Sequence, residues 1–177
     1  MMGPAAVLAV LRCLGDAGVP AWIGGGWGID ALLGQHSRAH DDLDLSLDAR
    51  QQARAVAALA AAGYTVVIDQ LPTRLVLGDD RGHRVDLHPV HFDAAGAGVQ
   101  IGFDGPLHYP RDGFTRGTIS GQPVDCFSAA LQLRFHSGYP PQAKDRLDMQ
   151  RLAQQTGLTL PPALADEAGA APETTDG

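Results

Sequence analysis

Positive charge is scarce in this chain. Lysine and arginine together number 13 of 177 residues against 20 acids, a net charge of −7, and the isoelectric point lies near 5.3. Broad binding to DNA or RNA depends on clustered cations that neutralise phosphates, so no nucleic-acid partner is expected. An acidic pocket would instead attract a cationic small molecule. Cysteine is scarcer still. Cys13 and Cys126 show no CxxC spacing and build no disulfide framework, which points to a reducing cytoplasm. Long apolar runs are missing, none approaching the ~20 residues that span a bilayer, so no membrane association is expected. The opening MMGPAAVLAVLRCLGDAGVP lacks a basic leading segment and is interrupted by Arg12 and Asp16. It reads as an amphipathic first helix and not as a secretion signal. The histidines lack HExxH or paired Cys/His spacing, which argues against a structural zinc site. No internal repeat is visible.

What remains is an apolar fraction of 45%, enough for one domain with a proper core. Apolar residues at helical spacing predict a helix over 5–17, ended by Gly18 and Pro20. Residues 20–23 read as a short buried strand running into Gly24-Gly25-Gly26, and Trp27 to Leu33 as a helix closed by Gly34. Leu43, Leu45 and Leu47 alternate with Asp42, Asp44 and Ser46, the pattern of a strand with one apolar and one polar face. An alanine-rich helix over 53–62 precedes strands at 64–68, 74–77 and 84–88, the last two joined by a turn-rich link suited to a hairpin. Further strands are expected at 99–103, 115–119 and 123–126, then helices at 128–136, capped by Ser128, and at 143–155. These divide the chain into a core over 1–127, a C-terminal helical part over 128–165 packed on it, and a compositionally disordered tail over 166–177.

The chemistry concentrates in "GGGWGIDALLGQHSRAHDDLDLSL", residues 24–47. Strand residues i and i+2 share a face, so Asp42 and Asp44 repel unless a cation lies between them. Mg²⁺ suits such a pair when water and phosphate oxygens complete its shell. The triglycine turn supplies the phosphate half: without Cβ atoms its N–H groups approach an anion, and the following helix turns its N-terminal dipole on it. Asp86 in "HRVDLHPV" alternates with Val85 and Leu87, which places it on a polar strand face as a third carboxylate, able to bind metal and accept a proton. His88 shares that face and would line an acceptor pocket. Asp41 and Asp48 read as turn or surface residues, Asp30 as a pocket-lining residue or equally as a cap or ion-pair partner, and Trp27 as core packing before stacking on a base or drug. Lys144 and Asp148 form an i,i+4 pair on the last helix.

"GGGW", the sixteen positions from Gly26 to Asp42, Asp42-Leu-Asp44 and the later Asp86 resemble the active-site pattern of the DNA polymerase beta-like nucleotidyltransferase superfamily. Within it, "WIGGGWGIDALLGQHSRAHDDLDLSL" is similar to the antibiotic nucleotidyltransferases of the aminoglycoside 2''-adenylyltransferase and lincosamide type. "PTRLVLGDDRGHRVDLHPVHFDAAGAGVQ", "CFSAALQLRFHSGY" and "KDRLDMQRL" favour the lincosamide enzymes, and the likeness covers about 5–160. It implies an α/β (α+β) fold in which a mixed nucleotidyltransferase sheet is flanked by helices. It also implies two Mg²⁺ ions and a nucleoside triphosphate, ATP or similar, as co-substrate. Carried over by position, Asp42 and Asp44 hold the metals, Asp86 is metal ligand and general base, and Gly25 and Gly26 cradle the triphosphate. Many superfamily members have serine where Gly26 stands, so here backbone donors must suffice. Arg38, His40 and Lys144 are the candidate cations toward the phosphates.

The resulting expectation is a cytoplasmic Mg²⁺-dependent O-nucleotidyltransferase that acts on a hydroxyl of a small-molecule antibiotic, lincosamide before aminoglycoside, and releases pyrophosphate. Two alternatives keep parts of it: a nucleotidyltransferase with a protein acceptor, as in toxin–antitoxin systems, and a non-catalytic nucleotide-binding regulator. The acceptor pocket is expected in 88–115 and the C-terminal helices. Homodimer formation is left open.

Overall fold

Period-2 alternation sends the acids and the leucines of 43–48 to opposite faces, and the computed structural model, which describes residues 1–165, shows what each face meets. Strand β2 (Leu43–Asp48) lies between β1 (Ala21–Ile23), antiparallel to it, and β5 (Arg84–Phe92), parallel to it. Leu43, Leu45, Leu47, Val85 and Leu87 are wholly buried. They share a core with Val7, Val10 and Leu14 of α1 (Pro4–Asp16) and with Ala55 and Leu59 of α3 (Gln52–Ala61). Each buried Leu or Val contributes about 1.5–3 kcal/mol. A one-residue slip would expose these side chains and bury Asp44 and Asp86 against two helices, so register is strongly specified.

The sheet continues outward from this centre. Its order is β3 (Thr65–Gln70), β4 (Arg74–Gly78), β5, β2, β1, β9 (Gln122–Phe127) and β8 (Phe114–Ile119). The far end of β5 also pairs with β6 (Gly98–Gly102), which forms a hairpin with β7 (Gly105–Tyr109). Parallel pairing at β2–β5 and β1–β9, with antiparallel pairing elsewhere, makes this the mixed sheet flanked by helices that the resemblance implied.

Three further helices complete the layers, the first of them with Trp27 and Ala31 in the leucine core. Helix α2 (Gly25–Leu33) ends where Gly34 takes up φ +67°. Helix α4 (Ala129–His136) starts at Ser128, whose hydroxyl accepts from the Leu131 N–H at 3.3 Å. Helix α5 (Ala143–Thr156) starts with a capping box between Gln142 and Asp145. Met149 and Leu152 of α5 bury Ile29 of α2 together with Leu164. The C-terminal helices therefore rest on the helix that follows the glycine turn. The expected tail over 166–177 lies outside the described residues.

Three boundaries differ from the sequence expectation. Helix α2 begins at Gly25, two residues before Trp27, so Gly25 and Gly26 form its first turn. Strand β5 runs on to Phe92, past the expected stop at His88. Pro89 looked like a breaker, but the wholly buried Val90 continues the apolar alternation beyond it. Strand β7 was not expected, because Gly105-Pro106 reads as a turn and its side chains up to His108 are exposed.

Candidate active site

Strand register brings the carboxylates together. Asp44 and Asp86 are direct partners across the parallel β2–β5 ladder, and Ser46 and His88 are the next pair on that face. One ligand atom each of Asp44, Asp86 and His88 lies within 4.8 Å of the others. Asp86 is 4% exposed. Its Oδ2 accepts from Arg74 Nη1 at 2.8 Å, while its buried Oδ1 has no hydrogen-bond partner among the described residues. Burial, and repulsion by Asp44, hold the Asp86 carboxyl above the usual range against the pull of His88 and Arg74. Burial also pushes Asp44 upward, but the His88 hydrogen bond at 3.3 Å and attraction from His88, His136 and Arg74 bring it below the ordinary value. Burial lowers His88, and the two carboxylates more than reverse that.

Asp42 sits one residue before β2 and outside that tight group. It is exposed and lines the same cavity. Its carboxyl is raised by desolvation at the cavity wall and then by Asp44 and Asp86, with Lys144 opposing. The close acid pair thus spans two strands, whereas the sequence argument placed it within one.

The glycine turn is seated on this acid strand. The Gly24 N–H donates to the Asp44 carbonyl at 3.0 Å. Gly25 has φ +54°, and a Cβ there would fall 2.1 Å from Asp44 Oδ2, so only glycine fits. A Cβ on Gly26 would fall 2.4 Å from His40 Nδ1 and 2.8 Å from Arg38 Nη2. The place of the superfamily's serine is therefore occupied here by the His40 ring and the Arg38 guanidinium. The first intrahelical bond of α2 runs from Gly28 N–H to the Gly24 carbonyl. That leaves the N–H groups of Gly25, Gly26 and Trp27 without helical partners, as an anion site requires.

Arg38, His40 and Lys144 line one cavity of about 330 Å³ with Gly25, Gly26, Asp42 and Asp44. Two of these three side chains, Arg38 and His40, are held by acids. Arg38 donates through Nε and Nη2 to Asp148 Oδ2, at 2.9 and 2.7 Å. His40 Nε2 lies 2.7 Å from Asp30 Oδ2, both residues being buried, and Asp30 Oδ1 accepts from the Ser37 N–H and hydroxyl. Burial raises the Asp30 carboxyl, but the His40 and Ser37 hydrogen bonds outweigh it and bring the carboxyl below its ordinary range. Asp148 pairs with Arg38, which corrects the expected Lys144–Asp148 pair. Lys144, the single lysine of the chain, is exposed at the start of α5. Trp27 is 2% exposed with its ring stacked on His36, a packing residue as expected. Asp48 accepts from the Arg50 N–H at 2.9 Å, a turn role.

A second cleft of about 520 Å³ opens beside the first, and Gly25, Asp44, His136 and Tyr139 belong to both. Its walls are Phe103 and Leu107 from the β6–β7 hairpin and Phe127 and Phe135 from β9 and α4. Its floor is polar: Gln100 Nε2 donates to the Thr73 carbonyl at 2.9 Å and lies 3.2 Å from His88 Nδ1, while Tyr109 donates to Gln100 Oε1 at 2.5 Å. Burial pushes the Tyr109 hydroxyl up to about 12. Residues of the 88–115 segment and of α4 line this cleft. Arg74, Gln100, Tyr109 and His136 were not foreseen as site residues, and no local spacing marks them.

A family model for aminoglycoside-2''-adenylyltransferases matches residues 6–152. A lincosamide resistance protein of Staphylococcus haemolyticus is 30% identical over 139 residues, which are 78% of this chain and 86% of that protein. A 2''-aminoglycoside nucleotidyltransferase of Escherichia coli is 38% identical over 121 residues, 67% of this chain and 64% of that protein. The match to that second relative thus spans just under two thirds of its length. Among solved structures, the lincosamide antibiotic adenylyltransferase LnuA bound to lincomycin superposes with a TM-score of 0.76 at 28% identity, covering 85% of this chain and 96% of that one. ANT(2'')-Ia in complex with adenylyl-2''-tobramycin shares the fold, with a TM-score of 0.70 at 22% identity over 86% of this chain and 88% of its own.

Proposed function

The chain belongs to the aminoglycoside-2''-adenylyltransferase family and is a nucleotidyltransferase, and from that premise we propose that it transfers a nucleoside monophosphate from ATP to a hydroxyl of a small antibiotic, releasing pyrophosphate. The observation that carries this reading is the seam between the two cavities. On one side glycine N–H groups and cations line a space with carboxylates; on the other an apolar cleft opens; Asp44 faces both.

The donor set fits Mg²⁺. Asp42, Asp44 and Asp86 offer hard oxygen ligands, and the buried Asp86 Oδ1, 3.7 Å from His88 Nε2 and without a hydrogen-bond partner among the described residues, is an atom that a cation would satisfy. A divalent cation held by these carboxylates would supply Lewis-acid stabilisation for the charge that builds as pyrophosphate leaves. The chain supplies the rest. Gly25 and Gly26 N–H groups with Arg38, His40 and Lys144 receive the triphosphate. Asp86 takes the proton of the acceptor hydroxyl, whose oxygen forms a bond to the α-phosphorus as the bond from that phosphorus to the β-phosphate oxygen breaks. Arg74 holds the other Asp86 oxygen at 2.8 Å and so fixes the carboxylate plane.

The acceptor is a lincosamide in preference to an aminoglycoside. An aminoglycoside carries several ammonium groups and calls for several acids, whereas Asp44 is the sole acid among the described residues that line the cleft, whose walls are apolar and aromatic over a polar floor. The cytoplasm supplies ATP and Mg²⁺ for this chemistry, and no helix among the described residues is long and apolar enough to cross a membrane. A mass-shift screen of lincosamides and aminoglycosides with each of the four nucleoside triphosphates tests the reading. A lincosamide gaining one adenylate, only when Mg²⁺ is present, is the expected result. Adenylation confined to aminoglycosides would overturn the acceptor assignment, and transfer to neither drug class would overturn the proposal.

A further inference from the structure

Gln100 is 3% exposed in the floor of the apolar cleft and has no part in the mechanism above. Its side chain is the middle of a hydrogen-bond chain that runs in one direction. Gln100 Nε2 donates to the Thr73 carbonyl at 2.9 Å, and a carbonyl only accepts, so the amide is fixed with its N–H groups on that side. Gln100 Oε1 accepts from the Tyr109 hydroxyl, whose single hydrogen points there, and the Ser46 hydroxyl, 3.3 Å away, is left to donate to Tyr109. The second N–H of Gln100 meets His88 Nδ1 at 3.2 Å. Nδ1 therefore accepts and carries no hydrogen. The ring hydrogen stands on Nε2 and is donated to Asp44 Oδ1 at 3.3 Å. A second hydrogen, on Nδ1, would point into the Gln100 N–H, while both carboxylates face Nε2, where the first already meets them.

Orientation of the carboxylates follows. Asp44 Oδ1 is taken by His88, and Asp44 Oδ2 faces the glycine turn, where a Cβ on Gly25 would meet it. Asp86 Oδ1 lies 3.7 Å from the same Nε2. The Nε2–H thus stands where one ligand atom each of Asp44, Asp86 and His88 come within 4.8 Å of one another. Two carboxylates and an imidazole are also the donor set of a transition-metal site. A neutral imidazole ligates through one nitrogen and keeps its hydrogen on the other, and here the other nitrogen faces the Gln100 N–H. Building on the reading of these carboxylates as a Mg²⁺ site, we propose that Gln100 is a positioning residue that sets metal specificity. By donating to His88 Nδ1 it holds the ring hydrogen on Nε2, which orients Asp44 and denies the imidazole lone pair to cations of the Zn²⁺ type. The carboxylates stay open to an ion that prefers oxygen ligands.

The test reads the tautomer and the metal preference. In the metal-free parent, nitrogen NMR shifts of the His88 ring in mildly alkaline buffer should show hydrogen on Nε2 alone, a signature that a packing role for Gln100 would not produce. Gln100→Glu sets an acceptor opposite Nδ1 and should move the hydrogen there. Gln100→Met, similar in length but without an N–H, should release the ring to a mixture of both tautomers. Titration with Co²⁺, followed by the visible absorption of the nitrogen-bound ion, should show affinity about tenfold or more higher in both variants, the lower end of the span for changes behind a metal ligand. Adding His88→Ala to Gln100→Met should abolish that gain, which separates this site from the other histidines. A parent ring with its hydrogen on Nδ1 overturns the proposal, as do variants that keep the parental tautomer and Co²⁺ affinity. So does a gain in Co²⁺ affinity that survives His88→Ala. Neither readout uses turnover, so a parent that adenylates no acceptor overturns the transferase reading, while the shifts and the Co²⁺ titration still decide the role of Gln100.

Discussion

On one side of the nucleotide cavity Asp44 and Asp86 are held by strand register; on the other Arg38 and His40 are each held by a buried acid from a helix. The acids need only two neighbouring strands and a period of two, since leucines packed under α1 and α3 leave their side chains one face to occupy. The cations need tertiary partners. Asp30 comes from α2 and Asp148 from α5, and both are almost fully buried. The difference teaches that the reactive acids are placed by local pattern and the binding cations by long-range pairing, so damage to the two halves should read out differently.

The largest expected effect lies on the acid side. Asp86→Asn keeps the shape and the Arg74 contact but removes the proton acceptor, and turnover should fall by about 10³-fold, within the usual span for general-base loss. Nucleotide binding, measured by equilibrium titration, should persist. Transfer at the parental rate would show that another group takes the proton.

The contrast sharpens on the cation side with Asp30→Asn. Losing the carboxylate charge weakens the hydrogen bonds that Asp30 accepts from Ser37 and shares with His40, and about 1.5–3 kcal/mol of stability should be lost at neutral pH. The Asp30 carboxyl is held below its ordinary value in the fold, so its contribution is complete above the unfolded carboxylate pKa of about 4 and disappears as pH falls through the lower folded value. The gap in Tm between parent and variant should therefore be full at neutral pH and narrow in acid. A gap that is constant with pH would mean that Asp30 does not act through its charge.

This division also explains what the sequence could disclose. Asp42, Asp44 and Asp86 are visible because alternation with leucine and valine is local, and Gly25 and Gly26 because three glycines before a tryptophan have few other uses. Arg38, His40 and Lys144 are nameable as neighbours of the motif, and the structure puts all three on one cavity. Their holders are not matched to them in the sequence: Asp30 has no named partner there and Asp148 is set with Lys144, because a pair 110 residues apart such as Arg38–Asp148 leaves no spacing to read. Arg74, Gln100 and Tyr109 converge only after β4, β5 and the β6–β7 hairpin have paired. That hairpin was half hidden by Pro106, which sits where a strand looks interrupted.

Gly26→Ser tests whether the cations have taken over the place of the superfamily's serine. A Cβ at position 26 meets the His40 ring and the Arg38 guanidinium, so both must shift, at about 1–3 kcal/mol of stability typical of overpacking. The KM for nucleotide should rise as they leave their acids. A serine variant with parental stability and tighter nucleotide binding would show that the position is open and the crowding of no consequence.

The smallest effect belongs to the acceptor cleft, where neither register nor buried charge is at stake. Phe103 is 67% exposed at the tip of the β6–β7 hairpin yet lines the cleft, so its ring has little to do with folding and much apolar surface to offer an acceptor. Phe103→Ala should leave Tm within about 0.5 kcal/mol equivalent, as for most surface changes. Covering part of one ring on binding is worth about 1 kcal/mol at 25 cal/mol per Å², roughly a fivefold rise in the KM for the acceptor. The KM for ATP should not move, because Phe103 does not line the nucleotide-side cavity. An acceptor KM that ignores this ring while responding to added acids at the cleft would point to a polycationic acceptor, and the two cavities would then differ in charge more than in polarity.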